Sequence, residues 1–100
     1  MRRVMRCYFT PAAEGDLEEI GDYIAGDNPG RARSFVRELR ERCEKLCNFP
    51  RSYPLRPSLG SDVRVMAYRG YLICYTAHDD GRVVIERISE GSRDIETLFR

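Results

Sequence analysis

The stretch TPAAEGDLEEIGDYIAGDNPGRARSFVRELRERCEKL, residues 10–46, decides the fold because it carries one helix-start signal twice, at Thr10-Pro11 and at Asn28-Pro29. A threonine or asparagine side-chain oxygen accepts a free N–H of the first helical turn. Proline at the first helical position gives up an N–H that has no partner there. After the first signal, Ala13, Leu17, Ile20 and Ile24 fall at steps of four, three and four, which is one face of a helix. Glu14, Asp16, Glu18, Glu19 and Asp22 fill the other face, some of them near the positive end of the helix dipole. Gly26 closes this helix. After the second signal, Ala32, Phe35, Val36, Leu39, Cys43 and Leu46 form another apolar stripe, opposed by Arg31, Arg37, Glu38, Arg40, Glu41 and Lys45. So short a connection returns the two helices antiparallel, as a hairpin whose stripes must bury against a further apolar surface.

The flanks supply that surface. Residues 4–9, Val4 to Phe9, read as a short strand rich in strand formers. Residues 50–60 hold three prolines, Pro50, Pro54 and Pro57, and read as a loop. Three strands follow: Val63 to Tyr68, Tyr71 to Ala77 and Arg82 to Ser89, separated by Arg69-Gly70 and by His78-Asp79-Asp80-Gly81 as tight turns. The expectation is a single α+β domain over residues 1–100, with an N-terminal strand and an antiparallel helical hairpin packed on an antiparallel β-meander.

Composition excludes several functions. A net charge of +1 gives no general pull toward nucleic acid or an anionic membrane, although Arg51, Arg56, Arg64 and Arg69 face only Asp62 within residues 51–75 and predict a local basic surface. Zinc needs four ligands at fitting spacing, and Cys7, Cys43, Cys47, Cys74 and the only histidine, His78, do not provide it. No metal or cofactor is expected. No apolar run approaches the ~20 residues of a membrane span and no signal-peptide core precedes a cleavage site, so reduced thiols and a cytoplasmic location are expected.

The chemistry-bearing candidates cluster late in the chain: Arg87, then Gly91-Ser92-Arg93-Asp94, then Leu98-Phe99. Arginines clamp anions, but this set has no group that exchanges protons near neutral pH.

The ordered set Thr10-Pro11-Ala12-Ala13-Glu14, Asp16-Leu17-Glu18-Glu19-Ile20, Asp22-Tyr23-Ile24, Asn28-Pro29, Ala32, Phe35, Phe49-Pro50, Leu59-Gly60, Val63-Arg64, Tyr71-Leu72-Ile73, Tyr75, Arg87 and Gly91-Ser92-Arg93-Asp94-Ile95 before Leu98-Phe99 resembles the RelE/ParE toxin superfamily, the ParE branch most closely. It departs from that branch at Ser89-Glu90, where an apolar residue and a histidine are usual, and at Gly21, where a large residue is common.

The ParE resemblance implies a bacterial type II toxin that inhibits DNA gyrase by protein binding, without catalysis. It implies a cognate ParD-like ribbon-helix-helix antitoxin that wraps the toxin and is its only link to DNA. The RelE branch resembles a ribosome-dependent messenger-RNA nuclease, whose members carry lysines and a tyrosine near the C-terminus. Here Phe99 holds that place and Lys45 is the only lysine. A third reading, a toxin-like co-regulator without toxicity, rests on Gly21 and Ser89-Glu90. The candidates for antitoxin or target contact are Arg64, Tyr71, Tyr75, Arg87, Arg93, Leu98 and Phe99. Arg64 is the first choice to meet an acidic antitoxin tail, Tyr71 and Tyr75 share one sheet face, and Arg87 is divided between partner contact and an ion pair with Glu86, Glu90 or a helix acid. Any open strand edge invites an added strand, and Tyr8, Phe9, Tyr53, Leu55 and Phe99 are apolar enough to help form a groove for a helix.

Overall fold

The computed structural model describes residues 7–91 and 94–99. Strand β1 (Cys7–Phe9) leads into α1 (Pro11–Ala25), α2 (Pro29–Lys45), and then β2 (Val63–Tyr68), β3 (Tyr71–Ala77) and β4 (Val83–Glu90), with 3₁₀ turns at Pro57–Leu59 and Ile95–Phe99. Val4, Met5 and Arg6 of the expected first strand lie outside the described residues.

Both start signals act as the sequence implies. Asn28 accepts the Arg31 N–H at 3.0 Å to cap α2. Thr10 does more. Its hydroxyl oxygen accepts the Ala13 N–H at 3.0 Å and donates to the Glu86 carbonyl at 2.8 Å, while its own N–H donates to the Ile85 carbonyl at 3.1 Å. One residue therefore starts α1 and ties the end of β1 to β4.

The sheet order is β1-β4-β3-β2. Strands β2, β3 and β4 form the expected antiparallel meander, but β1 joins it parallel to β4, so the sheet is mixed. The whole hairpin lies between β1 and the meander in sequence, which gives the crossover a parallel pair requires. At the β2–β3 turn, Arg69 (φ 47°) and Gly70 (φ 85°) both lie in the left-handed region, as a two-residue hairpin turn demands.

A bulge in β4 sets which residues face the helices. Cys74 pairs with Arg87 and Tyr75 with Ile85, leaving Glu86 without a partner in the register. Strict alternation would send Ile85 and Ile88 to opposite faces. With the extra residue, Val83, Ile85 and Ile88 all enter the core beneath the hairpin, alongside Leu17, Phe35, Leu39, Met66, Ile73 and Tyr75. The opposite face buries Leu59, Val63, Cys74 and Ile95, with Val65, Leu72 and Phe99 packed against them. The proline loop and the C-terminal 3₁₀ turn thus cover the face that the helices do not.

Asp16 breaks the expected pattern. It stands among the solvent-facing acids of α1 in sequence, yet it is only 8% exposed. Its carboxylate accepts Arg87 Nε and Nη2, both at 2.9 Å, and the backbone N–H of Ile88 at 2.8 Å. Past Phe9, where β1 has ended, Asp16 thus supplies an acceptor that a strand would otherwise give to Ile88. Replacing Asp16 with Ala strands a buried N–H and a partly buried guanidinium; a loss of about 2–4 kcal/mol in urea unfolding is expected. Asp16→Asn, which keeps one oxygen, loses less.

Candidate interaction surface

The candidates named from sequence divide sharply. Arg87 is engaged in the bidentate pair with Asp16, which holds its guanidinium pKa above the ordinary value. That is the helix-acid alternative for Arg87, and it makes this side chain part of the frame. Arg64 turns inward along the proline loop, donating to the Tyr53 carbonyl at 2.6 Å and to the Arg51 carbonyl at 3.4 Å. Tyr75 is wholly buried and its hydroxyl donates to the Pro50 carbonyl at 2.8 Å, so it is core and not a contact residue. Its neighbour on that face, Tyr71, is half-buried, its ring 5.6 Å from that of Phe35. Leu98 and Phe99 are half-buried, Phe99 against the second core. Arg93 lies outside the described residues.

A prominent concave surface involves none of these residues. It is a groove of about 670 Å³ on the outer side of the hairpin, between α1 and α2. Leu17, Gly21, Ala25, Ala32 and Val36 give it an apolar lining. The two helices supply opposite charges: Glu14, Glu18 and Asp22 from α1, and Arg33, Arg37 and Arg40 from α2. Arg40 bridges the two by taking both carboxylate oxygens of Glu14, and this pair lowers the Glu14 pKa and raises that of Arg40.

Gly21 explains how closely the helices approach. A Cβ placed there would meet Val36 Cγ2 at 3.3 Å, which is tight. The glycine is therefore a close contact between α1 and α2, where the sequence suggested only a loss of packing and helix propensity. The spacing of small residues at 21, 25 and 32 was the available signal for the groove.

Exposed apolar side chains stand elsewhere: Tyr8 on β1, Tyr23 on α1 at 83% exposure, Phe49 after α2 and Leu55 in the proline loop. That loop guards the outer edge of β2. Arg56 N–H donates to the Val63 carbonyl at 2.7 Å, Val65 N–H donates to the Pro54 carbonyl at 3.4 Å, and Leu55 bridges to Arg64.

Burial pushes the Cys43 thiol up to about 12 and the Cys74 thiol up to about 11, away from the reactive thiolate. His78 lies 3.0 Å from the Thr76 hydroxyl, two residues away beside the β3–β4 turn. Among the described residues, no group of His, Cys, Asp or Glu side chains is placed to hold a metal ion, and no helix is long and apolar enough to cross a membrane.

Residues 8–95 match the family model described as ParE toxin of type II toxin-antitoxin system, parDE. No curated protein matches the sequence. Among solved structures, a chain of the "Chromosomal ParDE TA system from P. aeruginosa" superposes with a TM-score of 0.72 at 24% identity, over 86% of this chain and 95% of that one. At that identity the likeness concerns the fold.

Two solution properties follow from the charges and thiols. At pH 8, Cys43 and Cys74 stay unreactive toward an aromatic disulfide reagent until denaturant opens the core. The Tyr68 hydroxyl and Arg31 lower the Glu38 pKa, as Arg40 lowers that of Glu14, below the ordinary 4.5. A carboxylate with a lowered folded pKa contributes its full stability above the ordinary value and loses it as pH falls through the folded one. Urea midpoints are therefore expected to hold from about pH 5 to 8 and to fall below about 4.5, the fall being smaller in Glu14→Gln.

Proposed function

The chain belongs to the ParE toxin family of type II toxin–antitoxin systems, and on that footing we propose that it inhibits DNA gyrase by binding and is neutralised by a cognate antitoxin. The observation that carries this reading is the hairpin groove. An apolar lining between an acidic helix and a basic helix suits an amphipathic helix that presents basic residues to α1 and acidic residues to α2. Glu18, Asp22, Arg33 and Arg37 form no ion pair among the described residues, so they are free to meet such a partner.

The antitoxin expected is ParD-like, with a ribbon-helix-helix region that binds DNA, so that the toxin reaches DNA only through it. Two further contacts of the same antitoxin are proposed, one at the half-buried Tyr71 on the helix side of the sheet and one at the Leu98-Phe99 end on the other side. Gyrase inhibition without catalysis is supported by the side chains at hand. The thiols are raised, Tyr75 is buried, and Phe99 offers no hydroxyl where RelE-like nucleases carry one. The reading as a co-regulator without toxicity loses half its basis, since Gly21 fits tightly against Val36.

Purified chain is expected to block supercoiling by gyrase and to leave messenger RNA on ribosomes uncut; no inhibition at large molar excess, with no growth arrest on induction, would overturn the proposal. In the same system, Arg33→Glu with Arg37→Glu should weaken antitoxin capture by about tenfold or more and flatten its salt dependence, while the fold is unchanged. Retention of full affinity by that double variant would place the antitoxin elsewhere.

A further inference from the structure

A second cleft, of about 460 Å³, lies where α2 ends and the chain turns toward the proline loop. It shares no residue with the hairpin groove. Its polar lining consists of Arg42, Lys45, Asn48, Ser52 and Tyr53, with Phe49 at its side and no carboxylate. We propose that this cleft binds a nucleoside phosphate.

The donors there are held in place and underused. The Arg42 guanidinium lies over the Tyr68 ring at 5.6 Å, and its Nη2 donates to the Tyr53 hydroxyl oxygen at 3.2 Å. Its Nε is buried without any acceptor, the single side-chain atom in that condition among the described residues. Neither Arg42 nor Lys45 forms an ion pair with a described carboxylate. The Tyr53 oxygen accepts a hydrogen bond from Arg42, which leaves its own O–H free to donate. The result is a fixed cation, an exposed cation and a spare hydroxyl with no carboxylate in the lining to satisfy them, which is the chemistry of an anion site.

The aromatic and amide neighbours narrow the anion. Phe49 is 71% exposed, and the turn that presents it is pinned by the Ser52 hydroxyl donating to its carbonyl at 2.8 Å. A ring presented edge or face to solvent beside cations is the platform on which a base stacks. Asn48, adjacent and exposed, carries the donor and acceptor that read a base edge. A bare carboxylate would engage the cations and leave Phe49 and Asn48 idle. A nucleotide engages all of them, phosphate at Lys45 and Arg42 and base at Phe49 and Asn48.

The C-terminal end of a helix repels anions in principle. Here the carbonyls of Cys43, Glu44, Lys45 and Leu46 already accept from the N–H groups of Leu46, Cys47, Asn48 and Phe49, and two cations stand beside them. The charged side chains that line the cleft are both positive. The nucleoside phosphate has two possible sources, a free mononucleotide or the end of a single strand, and the cleft recognises the chemistry they share.

The test is fluorescence anisotropy of a dye-labelled adenosine monophosphate on the purified chain, with unlabelled competitors. Adenosine monophosphate should displace it, with adenosine and inorganic phosphate each at least about tenfold weaker. Displacement by a short single-stranded RNA at lower concentration than the mononucleotide identifies a strand end as the source, and the reverse order identifies the free nucleotide. Lys45→Ala and Phe49→Ala, both at exposed positions, should each weaken binding by about tenfold without moving the thermal midpoint, and Lys45→Arg should restore it. Absence of binding at millimolar nucleotide overturns the proposal, as does equal displacement by phosphate alone, by an acidic peptide in place of nucleotide, or unchanged affinity in both alanine variants. None of these outcomes bears on gyrase inhibition, which is measured separately.

Discussion

The carboxylate of Asp16 is the contact on which the rest of the molecule depends. Strand β1 ends at Phe9, so β4 loses that neighbour after Ile85. A backbone N–H left bare at that point, next to a core, is costly. Asp16 fills the gap from α1, and a carboxylate suits the task because it can accept from Ile88 and from both arms of Arg87 at once. A buried charge is stabilising only when its hydrogen bonds are complete, and here three are made. Thr10 fixes the other end of the same junction, so α1 is tied to β4 at its first residue and again one turn and a half later.

That junction fixes which surfaces remain. The inner faces of α1 and α2 are spent on the sheet, and the sheet's other face is spent on Leu59 and Ile95. The outer side of the hairpin is what stays open, and Gly21 against Val36 keeps the two helices close enough to share one apolar groove. The β4 bulge belongs to the same solution, since it brings Ile88 into the core while leaving Arg87 in reach of Asp16.

Much of this was legible in residue order. Thr10-Pro11 and Asn28-Pro29 start the helices as read, and Val63–Tyr68 and Tyr71–Ala77 are strands over the expected spans. The last strand is displaced by one residue, to Val83–Glu90. The parallel docking of β1 could not be read, because the apolar run at residues 4–9 carries no pairing direction in its side chains. Nor could the bulge, since a single extra residue leaves no periodic trace, and without it the partner of Arg87 is any of several acids. Tyr71 and Tyr75 illustrate the remaining gap: they share a face, but one sits at the rim and the other under the helices, and only the register tells them apart. The hairpin groove and the cleft at Phe49 went unread because both depend on surfaces contributed by residues distant in pattern, small on one side and charged on the other.

The arginines separate structure from function more finely than position in the chain does. Arg31, Arg40, Arg51, Arg56, Arg69, Arg82 and Arg87 each meet a carboxylate, and most of these pairs are exposed and worth little individually. Arg64 meets only backbone carbonyls and holds the proline loop against β2. Arg33, Arg37 and Arg42 are left without an acid among the described residues, and they line two concave surfaces, the first pair the hairpin groove and the last the cleft beside Phe49. Arg33 and Arg37 are exposed and solvated, whereas Arg42 is half-buried and leaves its Nε without an acceptor, which is costly. That unmatched charge marks where a partner of opposite sign has the most to add, and it points away from the C-terminal arginines that residue order alone brings forward.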